Sequence, residues 1–104
     1  MPKGIELSIA NLSCLTQKDE FLLQVSTTSR EITRFIEEEI PKSQRSWLAD
    51  LNSWRIKIKW LLKLSELCLE NYDQVFFDCG DELLDLNDPE NYQTFREKII
   101  EELI

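Results

Sequence analysis

The prediction of the fold begins with residues 47–72, which read WLADLNSWRIKIKWLLKLSELCLENY. Mostly apolar side chains recur there at alternating intervals of four and three, the spacing of a helix packed lengthwise against other helices. The segment contains all three tryptophans of the chain and no glycine or proline. The positions in this series are Trp47, Leu51, Trp54, Ile58, Leu61, Ser65, Cys68 and Tyr72. The spacing predicts one long amphipathic helix over 43–71.

A second apolar group falls on a different flank of the same predicted helix. It consists of Ile56, Trp60, Leu64 and Leu67. A bundle of four helices leaves part of this flank uncovered, and large exposed apolar patches usually mark interfaces. Tryptophan is also among the residues most enriched at binding hot spots. We therefore predict that this group contacts a second chain; the alternative is that residues 5–15 fold over it.

The segment before the long helix is also predicted to be helical. Thr16 can cap a helix over 16–40, and Pro41 ends it because the residue before a proline avoids helical geometry. Thr28 and Glu31 fit a capping box, from which a separate helix can begin. One kinked helix and two separate pieces therefore remain alternatives.

Two further helices are predicted after the long one. Asn71 favours a helix end over a helix interior, so a break there is followed by a third helix over 73–86. Asp88 is a good N-cap, and Pro89 suits the first helical position, where its missing N–H costs nothing. The last helix is predicted over 89–104.

These segments together predict an all-α fold in a single domain spanning 1–104. It is a bundle of about four helices over 16–104, built around the long central helix. Residues 1–15 are weakly patterned, and an arm or a short strand are both compatible with them.

The charges of the chain are segregated along the sequence. The net charge is −8, yet residues 42–63 hold six basic groups and one acidic group, whereas residues 64–104 hold two basic and twelve acidic groups. This asymmetry favours electrostatic docking on a partner, while the negative total disfavours binding of a nucleic-acid backbone. Trp47 and Trp54, which lie in the basic block, are predicted to pack in the core rather than to stack on bases.

The sequence lacks the residues that most enzyme and cofactor sites use. It has no histidine, so the three cysteines, Cys14, Cys68 and Cys79, have no imidazole to activate them as nucleophiles. Their spacing is also not that of a zinc site. Gly4 and Gly80 are too far apart to form a phosphate-binding loop. We predict no catalytic residue, no cofactor and no metal. The absence of a long apolar run predicts a soluble, cytoplasmic protein that does not enter a membrane.

Four carboxylates cluster on one face of the predicted third helix: Asp78, Asp81, Glu82 and Asp85. Residues 82–85 resemble the ExxD half of the ExxE…ExxD pattern of all-α nucleotide pyrophosphohydrolases. That resemblance implies metal-dependent hydrolysis of nucleotides. The ExxE half is missing, because three residues rather than two separate Glu66 from Glu70. We therefore interpret the four carboxylates as a surface that binds a partner.

The function predicted from these features is protein–protein interaction without catalysis. The chain is expected to be an adaptor, a regulator or an inhibitor of a larger macromolecule, including one that mimics nucleic acid with its acidic surface. The expected partner is another protein or a twin copy of the chain, and direct binding of nucleic acid is not expected. The alternatives are the metal-dependent nucleotide hydrolase and a structural subunit of a homo-oligomer.

Overall fold

The fold is a mixed sheet with helices, not a helical bundle. The computed structural model describes residues 8–14, 19–78 and 82–103, with side chains as far as residue 100. These residues form six strands and three α-helices. The fold class is therefore α+β, and the prediction of an all-α bundle is wrong.

The described elements follow one another as three successive strand–strand–helix units. The strands are β1 (Ile9–Cys14), β2 (Glu20–Val25), β3 (Arg45–Leu48), β4 (Ser53–Lys57), β5 (Gln74–Asp78) and β6 (Leu83–Asp85). The helices are α1 (Arg30–Glu39), α2 (Leu61–Asn71) and α3 (Pro89–Leu103). Across the sheet the strands run β3-β4-β2-β1-β5-β6. β1 and β5 pair in parallel, and the other neighbouring strands of this order pair in antiparallel fashion.

The predicted long helix is a β-hairpin followed by a short helix. Successive side chains of residues 53–57 point to opposite faces of the sheet, which gives the two-residue period of β-structure. Asn52 turns the chain between β3 and β4 with φ 49° and ψ 46°, a left-handed conformation that asparagine adopts more readily than most residues. Trp47 and Trp54 then lie opposite each other in the hairpin. Within the segment α2 is the only α-helix, and residues 49–51 and 58–60 form single 3-10 turns.

The helix ends predicted from local signals are largely correct. The Ser29 side chain caps α1 by accepting a hydrogen bond from the Ile32 backbone N–H at 3.3 Å. This cap is one residue after Thr28, where the alternative with two helical pieces starts the second piece. α1 ends before Pro41, and α2 ends at Asn71 as predicted. Asp88 accepts from the Glu90 N–H at 2.9 Å and so caps α3. These signals survive because they depend on neighbours in the chain.

Two other segments differ from their prediction. Residues 73–86 contain β5 and β6 instead of a helix, and β2 occupies much of the segment before α1. Of the two alternatives for residues 1–15, an arm or a short strand, the described part forms a strand, β1, which lies between β2 and β5. Its start is fixed by Ser8, whose backbone N–H donates to Asp73 Oδ2 at 2.9 Å. The described part of this segment therefore lies within the sheet instead of over a helix.

The described core lies between the three helices and one face of the sheet. Alternate strand residues such as Leu12, Phe21 and Val75 are fully buried and form one cluster with residues of the helices. On α3, Phe95 packs edge-to-face against Phe77 of β5, with ring centroids 4.7 Å apart. No described element covers the opposite face of the sheet. A sheet that is largely antiparallel can have one face on the core and the other exposed.

Candidate functional site

The uncovered side of the sheet, which we call the open face, is the first candidate surface. It is made by the strand side chains that alternate with those facing the core, and all but Ser53 are at least partly exposed. They are Ile9, Asn11, Ser13, Glu20, Leu22, Gln24, Ser46, Leu48, Ser53, Arg55, Lys57, Gln74, Phe76, Asp78, Leu83 and Asp85. The open face therefore combines apolar, uncharged polar and charged side chains.

Strand register aligns the residues of the open face in rows across the sheet. Arg55 pairs with Leu22, Leu22 with Ser13, and Ser13 with Asp78. Ser46 and Leu83 complete this row at the two sheet edges. The middle of the row is thus uncharged, with a cation on one side and a carboxylate on the other.

The charges of the open face are separated by the order of the strands. On β4, Arg55 Nε lies 3.6 Å and Lys57 Nζ lies 3.8 Å from the same oxygen, Oε2 of Glu20. Because one carboxylate pairs with two cations, the β4 side of the open face keeps a net positive charge. On the other side of the face lie the carboxylates of Asp78 and Asp85. Asp85 Oδ1 also accepts a hydrogen bond from the backbone N–H two residues later, at 3.0 Å.

The same separation extends to the whole molecule. The basic block of the sequence forms β3, β4 and the adjoining turns, which we call the basic edge (residues 42–60). The opposite side of the sheet holds β5, β6 and α3, which we call the acidic edge (residues 73–100). Its described residues include seven acids and two bases, and six of the seven acids are exposed. The basic and acidic residues, which are separated along the sequence, therefore also lie at opposite edges of the folded sheet.

The apolar group predicted to bind a partner does not form one surface. Ile56 lies on β4 and Leu64 on α2, and both are fully buried, so neither side chain is accessible in the folded protein. Trp60 precedes α2 and is half-buried; its indole N–H donates to Gln44 Oε1 at 2.7 Å. Leu67 is also half-buried. The shared helical flank is absent, because β4 and α2 are different elements; partner contact by Trp60 and Leu67 stays a prediction.

The predicted carboxylate face is not helical. Asp78 ends β5, Asp85 ends β6, and Glu82 pairs with Lys98 of α3 at 3.4 Å. Asp81 lies outside the described residues. Because residues 83–85 are extended, they cannot present the helical geometry that the ExxD resemblance requires. Within the described ranges, no group of three or more potential metal ligands is arranged to hold an ion.

An exposed group on the basic edge, which we call the Trp47 group (Trp47, Trp54, Arg45 and Leu51), was not predicted from the sequence. Trp47 is 50% exposed, and its ring packs edge-to-face on Trp54 with centroids 5.3 Å apart. The Arg45 guanidinium lies over the Trp54 ring, 5.9 Å from its centroid, and its Nε donates to the Ile40 carbonyl at 2.9 Å just after α1. Leu51 is also exposed in the neighbouring turn. Strict alternation over 53–57 was the signal that could have revealed this hairpin.

A buried cysteine and a tyrosine lie between α2 and the sheet. Burial raises the pKa of Cys68 to about 12 and, together with the nearby Cys68, raises the pKa of Tyr72 to about 12. The Tyr72 hydroxyl donates to the Thr27 carbonyl at 2.8 Å. A nucleophilic cysteine needs a lowered pKa and access to solvent. Cys68 has neither, so its role is packing.

A shallow depression of about 530 Å³ lies along the exposed side of α1. It is lined by Thr28, Arg30, Thr33, Arg34, Glu37 and Glu38. Arg34 and Glu38 form an exposed pair within one helix at 4.0 Å. Such pairs are typical of a solvated helix surface, and this depression holds no arrangement for chemistry.

The chain matches no protein-family model, no curated protein and no solved structure at a significant level. Among the described residues, no helix combines the length and the apolar character needed to cross a membrane. A functional proposal therefore depends on the surfaces of this chain, of which the acidic edge, the open face and the Trp47 group are the best defined.

Proposed function

We propose that this protein acts without catalysis, by binding another protein through its acidic edge. The observation that supports this is the excess of exposed carboxylates over bases on β5, β6 and α3. Such a surface attracts a basic partner and raises the rate of association. An adaptor, a regulator and an inhibitor of a basic groove all fit this property.

Apolar side chains on the same edge provide a second component of binding. Leu83 on β6 is 60% exposed and Ile100 on α3 is 41% exposed. Leu83 lies directly opposite Asp78, so an apolar side chain is flanked by negative charge. Charge gives an interface its rate and specificity, whereas buried apolar anchors supply much of its affinity. A basic partner surface with an apolar pocket fits this combination.

A cytoplasmic location belongs to the same proposal. The buried Cys68 thiol forms no disulfide, which is the usual state of a protein thiol in a reducing compartment.

Neutralising the acidic edge is expected to weaken partner binding at least about tenfold. The variant is Glu90→Gln with Glu97→Gln, two exposed positions seven residues apart on α3. The control is Glu31→Gln with Glu38→Gln, which repeats the charge change, the spacing and the first-turn position on α1. Wild type and both variants are used to capture partners from the native host, and each captured protein is then titrated as a purified component.

The control variant is expected to bind like the wild type, and added salt is expected to weaken the wild-type complex. Equal affinities for the two variants would show that the acidic edge is not the binding surface. If no purified candidate protein binds the wild type directly, protein binding itself is contradicted.

A second candidate function is binding of single-stranded nucleic acid at the basic edge. The observation in its favour is the half-exposed Trp47 among five basic residues, since aromatic stacking combined with basic side chains is the usual arrangement for single strands. The reason for assigning Trp47 to a packing seam disappears with the long helix. The net charge of −8 still opposes this function.

Trp47→Ala decides between these two functions. If the protein binds single strands, a short oligonucleotide at low salt quenches tryptophan fluorescence, and this variant loses about 1–3 kcal/mol of binding free energy per stacked base. Leu83→Ala on the acidic edge serves as the control. Under the favoured function we expect no saturable quenching in any of the three proteins. Saturable binding that needs Trp47 would replace the protein partner by a nucleic acid.

A further inference from the structure

We infer that the open face binds the open face of a second copy of this chain, in a two-fold symmetric dimer. The face carries half-buried apolar side chains, including Leu22 and Phe76, which no described element covers. The interface includes the β5 and β6 part of the acidic edge, with Asp78 and Leu83, but not α3. Because Glu90 and Glu97, whose replacement tests the proposed function, lie on α3, the two proposals fail separately. A second copy fits this face because the order and register of the strands place opposite charges across the interface.

The strand order makes the sheet nearly symmetric about its middle. Among the six described strands, the centre lies between β2 and β1, with β4 and β5 each second from an edge. A two-fold axis parallel to the strands, between two stacked sheets, places β4 of one copy over β5 of the other. It likewise places β2 over β1. A two-fold interface uses the same patch on both copies, so every such contact occurs twice.

Register then places opposite charges across the interface. Arg55 on β4 and Asp78 on β5 lie in one row, connected through the pairs of Leu22 and Ser13. Rotation about an axis along the strands keeps the level of a row, so Arg55 faces the partner's Asp78. The reciprocal pair forms as well. Asp85 lies in the row of Phe76 and Asn11, and Lys57 lies level with Glu20, so the register matches opposite charges only between Arg55 and Asp78.

Charge also excludes the other face-to-face arrangement. An axis perpendicular to the strands would place each strand over its own copy, and Arg55 would then approach the partner's Arg55. Like charges brought together at an interface are unfavourable. With the axis along the strands, the residues next to it are the open-face residues of β2 and β1, of which only Glu20, at the start of β2, is charged.

The face is large enough for a weak specific dimer. Six strands about 4.8 Å apart and five residues of about 3.3 Å give a face of about 29 Å by about 17 Å. Its projected area is thus about 500 Å² per copy, or about 1,000 Å² for both, near the lower limit for a specific interface. We expect a reversible dimer with a micromolar dissociation constant.

Sedimentation equilibrium from about 1 µM to about 500 µM measures this association. Arg55→Glu and Asp78→Lys are each expected to weaken the dimer at least about tenfold, because each creates two like-charge pairs. Glu38→Lys on α1 is the control for a charge change away from the face and is expected to dimerise like the wild type. Thermal melts of every variant identify a loss of folding, since Arg55 also pairs with Glu20.

Mixing the two weakened variants gives the decisive measurement. In a mixed dimer the carboxylate introduced by Arg55→Glu in one copy faces the ammonium group introduced by Asp78→Lys in the other. The remaining Asp78 faces the remaining Arg55, so both pairs are attractive. We expect the equimolar mixture to form a heterodimer within a few-fold of the wild-type affinity. A wild type that stays monomeric at the highest concentration, single variants that dimerise normally, or a mixture without recovery would each overturn the inference.

Discussion

Replacement of Phe77 by alanine is expected to lower the free energy of unfolding by about 3–5 kcal/mol. Phe77 is 2% exposed on the core face of β5, where its ring contacts Phe95 of α3. The truncation removes this contact and leaves a cavity between sheet and helix. Small domains are stable by about 5–15 kcal/mol, so the variant loses a large fraction of its stability. Urea denaturation followed by circular dichroism measures the loss.

The adjacent residue provides a matched control for this measurement. Phe76 has the same side chain on the same strand, but it points to the open face and is only half-buried. Phe76→Ala is therefore expected to cost clearly less than Phe77→Ala when both are measured at protein concentrations too low for dimerisation. An equal or larger loss for Phe76→Ala would mean that β5 presents its other face to the core.

Local signals predicted several features of this fold because the interactions behind them are local. The cap of α3 by Asp88 and the end of α1 before Pro41 involve residues within one turn of each other. Such contacts form whenever the segment is helical, whatever the rest of the chain does. The sequence therefore defined helix ends better than it defined the element types between them.

The prediction of a long helix was wrong because the apolar residues of 47–60 fit both the helical period and the two-residue period of a strand. Their apolar residues follow helical spacing from Trp47 to Ile58, while residues 53–57 also alternate as a strand. The choice between the two is made by β2, which pairs with β4 from a distant part of the sequence. Pairing between distant segments overrides the helical preference of a segment, and a single sequence does not show it.

The candidate surfaces were predictable in their charge but not in their position. The basic and acidic blocks are evident from the sequence, and the acidic residues chosen there include Asp78 and Asp85 of the open face. Their placement on opposite sides of the sheet depends on the strand order, in which β1 lies beside β5. The exposure of Trp47 was missed for the same reason, since it follows from the hairpin that β3 forms with β4.

Alkaline pH is expected to destabilise the protein through the thiol of Cys68. Burial raises the pKa of this group from 9.0 to about 12, so the folded chain holds the proton more tightly than the unfolded chain does. The stability contributed by this difference is fully present below pH 9 and is lost as the pH rises from 9.0 to about 12. Three pKa units correspond to about 4 kcal/mol. Tyr72, whose pKa is raised to about 12, acts in the same direction.

Cys68→Ala isolates the part of this effect that comes from the thiol. The variant loses some packing at neutral pH, yet its side chain has no proton to release. Urea denaturation in the presence of a reductant, at a series of pH values between neutral and about 12, gives the free energy of unfolding of both proteins. Lysine titration affects both alike, and the contribution of Cys68 to the raised pKa of Tyr72 is removed together with the thiol. The wild type is therefore expected to lose about 4 kcal/mol more than the variant over this range. Parallel pH profiles for the two proteins would show that the thiol is hydrated in the folded state, because only burial gives it the raised pKa.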